Sequence, residues 1–466
     1  MRVGAVQLSE VTADGGRLTA GFHLSEDQVA VARLRRIADR CEPLRQLCLS
    51  RRGIFRGPIF RRVFVEDPAR GEPYVSSSDL MQAHVEPAGY LSRKHHGGLL
   101  DDLRLHEGMI LLTCSGMNLG SAIWTRRDMD GLCATHDLIR IQPDPERVPP
   151  GYLYAFLAGR YGHAWIRKQI YGGSIKHVEP EQVAGMPVPR HPLVERQVAD
   201  LMIDAAEWRA SANELVEHAT QRLFASAGLE EISTLEWRAG GSELGFSARP
   251  RNGILRALSH SPRFISFAEK VRSIPHVELG SICADGHLGT GVRFRRIDAS
   301  PDHGVRLVGQ REGFWIRPDG RWISAAHAPD GIFAQDETVM IASSGTLGEK
   351  EVYCKTIFVS GDWLSYAYTQ HFFRVVSSDL RFPGAYLYAF LRSYLAFRLL
   401  RCMSTGSKQQ ELHRDLISRL PIPLLDDSTV QDVCRMVRRA HALRDDADRA
   451  ETAAITQVEN AIEGGG

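Results

Sequence analysis

The chain has 466 residues, 43% of them hydrophobic and 24% charged, a globular composition with room for two or three domains. Its formal net charge of +1 excludes a global polycation, so any nucleic-acid surface has to be a local patch. Eight cysteines occur without a CxxC pair or a CxxC…HxxxH spacing, which argues against a zinc site and fits a reducing cytosol.

In chain order, Met1–Glu10 lacks the apolar core of a signal peptide, and no run of 18 apolar residues follows. A cytoplasmic protein with no membrane contact is expected. Arg51, Arg52, Arg56, Arg61 and Arg62 then fall in one acid-free stretch, with Phe55 and Phe60 between them. Arginine suits both phosphate positioning and guanine reading, so this segment is a candidate DNA contact. The plain alternative is a solvated basic loop. His95-His96 has no carboxylate or cysteine companion, and no metal site is expected there.

The β-prone run Gly108–Thr113 leads into a Ser-Gly turn, Ser115–Gly120, and Leu138–Ile141 reads as a further strand. Ser115 and Asn118 could touch a DNA backbone, but a plain turn is the preferred reading. Tyr152–Ile170 reads as one amphipathic helix, with Tyr152, Tyr154 and Phe156 as core residues rather than base-stacking platforms. A Gly-Ser loop follows, Gly172-Gly173-Ser174, with Lys176 and His177. Read as the start of a helix, it would offer backbone N–H groups to phosphate, with Lys176 in reach of bases. An ordinary capped turn is the alternative.

After Met186-Pro187-Val188-Pro189, the residues Val194, Val198, Leu201, Ala205, Trp208, Ala212, Leu215 and Ala219 alternate at steps of four and three. This a/d seam predicts a coiled-coil helix starting near Pro192 and stopping at Gly228, about 45 Å long over Val194–Leu223.

The second half runs in the same order. Gly286–Gly291 lacks the Gly-Lys-Ser/Thr ending of a phosphate-binding loop. Thr290, Arg293, Arg295 and Arg296 form the second candidate DNA-contact cluster. Glu337–Ala342 reads as a strand leading to Ser343–Gly348, where Ser344 and Thr346 parallel the first turn, and Phe372–Val375 reads as the next strand. Tyr386–Cys402 is the matching helix. Ser407, Lys408, Gln409 and Gln410 form the second Gly-Ser loop, again read as a helix start. Leu420-Pro421-Ile422-Pro423 precedes the second seam, Val430, Val433, Val437, Ala440, Ala447, Ala454 and Val458. Arg444 and Glu451 interrupt it; such a polar residue either sets register or marks a partly exposed helix end. The tail Gly464–Gly466 is expected to fray.

The two halves are a duplication. Thr135–Pro189 aligns residue for residue, without a gap, with Thr369–Pro423, including Tyr152–Leu157 against Tyr386–Leu391. The separation of the two copies is far beyond solenoid periods of roughly 20–50 residues. Each half is expected to be an α+β domain followed by a long helix, with the halves near 1–228 and 229–466. Two similar surfaces on one chain suit a target that comes in two parts.

The ordered set of a helix, a Gly-Ser turn, an apolar-Pro-apolar-Pro strand end and then Pro192-Leu193-Val194-Glu195-Arg196-Gln197 resembles the DNA-specificity subunits of type I restriction-modification systems. The Glu-x-Gln element is missing after the second copy, which reads Leu424-Leu425-Asp426-Asp427. The resemblance implies two tandem target-recognition domains, 1–190 and 229–424, each followed by a long spacer helix, 191–228 and 425–463. The helices would form an antiparallel coiled coil. It also implies a non-catalytic subunit that reads a bipartite duplex target. Two methyltransferase copies would bind it and carry the S-adenosylmethionine themselves, and a motor–nuclease subunit would join for cleavage. A related phage-defence methylation system would look alike.

Two rival readings stand beside it. A single-chain methyltransferase or nuclease would need a catalytic motif, for which Val148-Pro149-Pro150-Gly151 and Glu349-Lys350-Glu351 with Lys355 are the nearest strings. A non-catalytic coiled-coil scaffold would show no salt-dependent DNA affinity.

Overall fold

A computed structural model describes residues 5–6, 8–13, 23–116, 118–170, 177–239, 245–249 and 254–464. The chain divides into two compact units: Met1–Met81 with Val85–Ala210 and Asp446–Gly466, and Gln82–His84 with Ser211–Asp445. Each long helix therefore contributes one part to each unit. No helix among the described residues is long and apolar enough to cross a membrane.

In the first unit the central sheet comprises β1 (Ile54–Arg56), β2 (Ile110–Thr113), β3 (Ala122–Trp124) and β4 (Leu138–Ile141), in the antiparallel order β1-β4-β2-β3. Both faces are covered, which explains strands that read as unbroken apolar runs. Ile110, Leu112, Ile139 and Ile141 face the helical core around Tyr152, Leu153 and Phe156. The alternate residues Leu111 and Leu138 join Met109, Met129 and Val75 on the other face.

In the second unit β5 (His287–Thr290), β6 (Thr338–Ala342), β7 (Thr356–Val359) and β8 (Phe372–Val376) take the corresponding order β5-β8-β6-β7. Val339, Ile341, Phe373 and Val375 face the helical core, and Met340 and Phe372 face the opposite cluster. The duplication reaches further than its sequence match. The pairing Ile54↔Ile141 has its counterpart, at the same spacing between copies, in Leu288↔Val375.

Each predicted aromatic helix is two helices. Pro150–Ala158 and Arg160–Gln169 break at Gly159, whose backbone is extended (φ −72°, ψ 167°). Gly384–Leu391 and Tyr394–Cys402 break at Ser393, whose hydroxyl accepts the Ala396 N–H at 3.1 Å as an N-cap. Tyr152, Tyr154, Phe156, Tyr386 and Phe390 are buried, in agreement with core roles, and Tyr388 packs on Phe358 and His441. The Tyr152 hydroxyl donates to Pro189 O at 2.6 Å and that of Tyr386 to Pro423 O at 2.8 Å. These bonds fasten each helix to its Pro-x-Pro strand, Pro187–Pro189 or Pro421–Pro423.

The long helices span Pro192–Ala227 and Asp427–Gly464, so Gly464 is helical rather than frayed; Gly465 and Gly466 lie outside the described residues. Gly228 adopts φ +64° at the predicted stop. At the first start Glu195 binds Arg190 and the His191 N–H; at the second, Asp426 accepts from the Thr429 N–H and hydroxyl. The second copy thus begins its helix with a different cap. Every residue of the second seam is buried. The polar interruptions are buried as well, so the exposed-end alternative does not hold for Arg444 or Glu451. Arg444 donates to Asp445, His441 and the carbonyls of Phe358 and Ser360.

Candidate nucleic-acid interface

In the first unit the basic segment begins with Arg51 and Arg52 on an exposed turn before β1. Arg52 has a left-handed backbone (φ +59°), pairs with Asp102 and lies 5.7 Å over the Phe55 ring. Arg56, half-buried at the end of β1, grips both Glu179 carboxylate oxygens at 3.1 Å. Burial works against the Arg56 charge, but Cys114, then Glu179 and Asp137, together hold its pKa above the ordinary value. Arg52 and Arg56 are therefore committed to internal partners. Arg51 and Arg61 are exposed and form no ion pair among the described residues.

Arg62 donates to His136 Nδ1 at 3.2 Å and stacks 5.3 Å from the Tyr74 ring centroid. Burial, reinforced by Arg62, Arg56 and Arg140, lowers the His136 pKa despite Asp137. A neutral ring can accept from Arg62 through Nδ1, which puts its proton on Nε2, 3.6 Å from Asp137 Oδ1. The Ser115 hydroxyl reaches the same carboxylate at 3.2 Å, and Ser115 forms a β-bridge with His177. The basic segment, the His136–Asp137 loop, the Ser-Gly turn and the end of the Gly-Ser loop are thus tied together by direct bonds. Ser174 and Lys176 lie outside the described residues.

The second unit repeats this arrangement. Thr290 is exposed at the end of β5, and Arg293 and Arg295 are exposed with no ion pair among the described residues. Arg296 donates to Gln370 at 3.3 Å. Arg296 stands at the repeat position of Arg62, and Gln370 at that of His136, so the two contacts are equivalent. Ser344 pairs with Glu411 as Ser115 does with His177. Glu411 occupies the repeat position of His177, whereas Ser344 falls a few positions short of that of Ser115, so the pairing outlasts a change in loop length. Gln310, which the sequence did not single out, clamps Ser344, accepting its N–H at 3.0 Å and donating to its carbonyl at 2.8 Å. His136 and Gln370 were also missed; extending the repeat alignment upstream to the basic clusters would have pointed to them.

The second Gly-Ser loop is not a helix start. Ser404–Thr405 and Gln410–Leu412 form an antiparallel hairpin whose turn carries Gly406 at φ +98°. Its N–H groups are partly spent on strand pairing, and the next helix begins only at Arg414. Ser407, Lys408 and Gln409 are exposed on this turn, and Gln409 donates to the Ser344 hydroxyl at 2.9 Å. Gln410 is buried, its amide turned back to the Gly406 and Ser407 carbonyls, so it is a turn brace and not a contact residue.

Beneath each basic segment lies a buried arginine, Arg140 on β4 and, at its repeat position, Arg374 on β8. Neither has a carboxylate partner among the described residues. Arg140 donates to the carbonyls of Leu103, Ala134 and Thr135, and Arg374 to those of Gly331, Ile332 and Phe333. A Cβ on Gly57 would stand 3.0 Å from Arg140 Nη1, and one on Gly291 3.2 Å from Arg374 Nη2. Glycine at these two positions lets the segment lie directly on the guanidinium.

His96, Glu349 and Pro149 have internal roles. His96 Nε2 accepts the Val63 N–H at 3.0 Å, and no group able to hold a metal occurs among the described residues. Glu349 is bound by the buried Arg398 at 3.0 Å, and Pro149 caps the helix that starts at Pro150.

No family model matches the chain, and no curated protein matches it. Among solved structures it is similar to the S subunit of a type I restriction-modification system from M. genitalium, at 12% identity and a TM-score of 0.38, over 91% of this chain and 94% of that one. It is also similar to the HsdS subunit from Thermoanaerobacter tengcongensis, at 12% identity and a TM-score of 0.27, over 91% and 96%. A third similar chain comes from a type I restriction-modification system studied for its complex assembly and conformational transition, at 16% identity and a TM-score of 0.28, over 90% and 97%.

Proposed function

We propose that this chain is the DNA-specificity subunit of a type I restriction-modification system or of a closely related phage-defence methylation system. It reads a bipartite duplex target and does no chemistry itself. Domains 1–190 and 229–424 each read one half-site, and helices 191–228 and 425–463 pair antiparallel to set the gap. Two methyltransferase copies dock on the two similar halves and supply S-adenosylmethionine and the methyl transfer; a motor–nuclease subunit joins for cleavage.

The observation that carries this reading is the twofold recurrence of one polar assembly. In each unit a basic segment, a His136 or Gln370 loop, a Ser-Gly turn and a β-bridged residue from the Gly-Ser region are bonded together in the same order. Core packing alone does not call for exposed Arg51, Arg61, Arg293, Arg295 and Lys408 beside it. Antiparallel pairing is supported by ion pairs within each unit. Arg209 meets Asp448 and Glu451, whereas Arg222, further along, meets Asp432, so partner numbers fall as the helix advances. The strings nearest to catalytic motifs have structural partners instead, which favours the non-catalytic reading over the single-chain enzyme.

The test is single-molecule sequencing of methylated adenines in host DNA with and without this gene, followed by affinity of the assembled complex for sites mutated in one half at a time. Loss of one bipartite methylation motif on deletion is expected. Arg61→Ala should relax discrimination only in one half-site, and Lys408→Ala only in the other. An unchanged methylome, or equal loss on both halves, would count against the reading.

A further inference from the structure

The helix parts 192–210 and 446–466 both line the first unit's core, with Val198, Met202 and Ala205 on one and Ala447, Ala450, Ala454 and Val458 on the other, and Leu201, Trp208 and Ile455 packed against them. Alanine-rich seams are smooth, and a smooth seam can pair in several registers. One polar cluster interrupts these apolar residues. Arg209 donates to Glu451 at 2.5 Å and to Asp448 at 2.7 Å, and the Tyr154 hydroxyl donates to the other Glu451 oxygen at 2.7 Å. The side chains of Arg209 and Glu451 are 9% and 5% exposed.

We propose that the buried Arg209–Glu451 pair is a register lock that determines how the two long helices align. The sequence on either side supplies the penalty for slipping. A one-heptad shift of the second helix would bring Arg444 and His441 opposite Arg209, or else Val458 and Ile455. Seen from Glu451, the same shifts replace Arg209 by Met202 or Val216. Each slipped register therefore buries a charge against a like charge or against hydrocarbon, and breaking a buried pair in this way is strongly destabilising. The native register alone pairs both charges. Burial opposes the Arg209 charge, but Glu451 and Asp448 raise its pKa well above the ordinary value, so the guanidinium stays charged through the working pH range. The consequence for DNA, that these residues help define the unread gap, rests on the spacer reading proposed above.

The test measures register directly in the full chain. Ala205→Cys is combined in turn with Ala454→Cys, Ala447→Cys or Ala461→Cys, and oxidative cross-links are counted by peptide mass spectrometry. The parent protein should link 205 with 454 at least several-fold more than with 447 or 461. With Arg209→Met and Glu451→Leu together, the 205–454 link should fall by at least half and a link one heptad away should rise. Glu451→Gln, which keeps the side chain's size and removes its charge, gives the same reading if the double variant does not fold, with a smaller shift. A folded variant that keeps the parent pattern overturns the proposal. A shifted pattern with an unchanged gap in the mapped methylation motif upholds the lock and counts against the spacer reading instead.

Discussion

Arg140 and Arg374 are each a buried cation with no carboxylate ion pair among the described residues, which is costly unless the N–H groups find acceptors. Here the acceptors are backbone carbonyls. Burial pulls the Arg140 guanidinium down to about 10 and lowers that of Arg374 too, and both remain charged near neutral pH. Arg374→Met should strand carbonyls of Gly331, Ile332 and Phe333, costing about 1–3 kcal/mol for each left unsatisfied. The midpoint of denaturant unfolding would fall accordingly, and Arg374→Lys should not restore it, because an ammonium lacks the planar fork. The surface arginines divide differently. Arg51 and Arg61 have no internal ion pair among the described residues, whereas Arg56 holds Glu179. Replacing Arg51 and Arg61 by Ala should leave folding unchanged and flatten the dependence of log affinity on log salt by roughly 0.9 for each phosphate no longer neutralised. Arg56→Ala should lower stability instead. A salt series of the assembled complex beside thermal unfolding separates the two behaviours.

At the scale of elements, the second seam was legible because heptad spacing survives in a packed helix, and its residues from Val430 to Val458 are buried throughout; in the first, Val198, Ala205, Ala212 and Ala219 are buried but Val194, Leu201, Trp208 and Leu215 are only half-buried. The breaks at Gly159 and Ser393 were not legible, since apolar period continues across both; Ser393 caps the next helix with its hydroxyl, while Gly159 only turns to an extended backbone. The 404–412 hairpin was misread for a related reason. Gly406-Ser407 resembles a helix cap in sequence, but its strand pairs with Ser344 and Gly345, which are remote along the chain. The polar residues of the second helix were visible as interruptions, while their partners were not. His441 is one of these, between the Phe358 and Tyr388 rings and accepting from Arg444 at 2.8 Å. Burial, then the charges of Arg444 and Arg392, hold its pKa well below the ordinary value. The unfolded chain therefore takes up a proton near pH 6.5 that the folded chain refuses. The stability this group contributes is complete above that pH and is lost as pH falls below it. His441→Gln keeps an acceptor for Arg444 and does not titrate. It should flatten the decline in unfolding free energy below about pH 6 by up to one proton, about 1.4 kcal/mol per pH unit. His136 and His163, also lowered chiefly by burial, should account for part of the slope that remains. Equal slopes in the two proteins would remove His441 from the acid response.

At the scale of the whole molecule, one α+β plan is written twice with the same strand order and the same pairing register. Duplication also explains why each unit draws on both long helices: an element at the end of one repeat can complete the core of either. The first helix passes between units after Ala210 and the second after Asp445. The contacts that anchor each helix to a unit lie on either side of these points, with Arg209 on Asp448 and Glu451, and Arg444 on the Phe358 and Ser360 carbonyls. One heptad of seam sequence can therefore be added at both crossing points without disturbing either set. Under the proposed function this is the cleanest change to the gap, because an insertion in one helix alone would shift its seam against the other. Adding one heptad to each lengthens the pair by about 10 Å at 1.5 Å per residue, about three base pairs at 3.4 Å each. The mapped methylation motif should keep both half-sites and gain about three unread positions between them. A motif with altered half-sites, or with its original gap, would show that the long helices do not measure the distance.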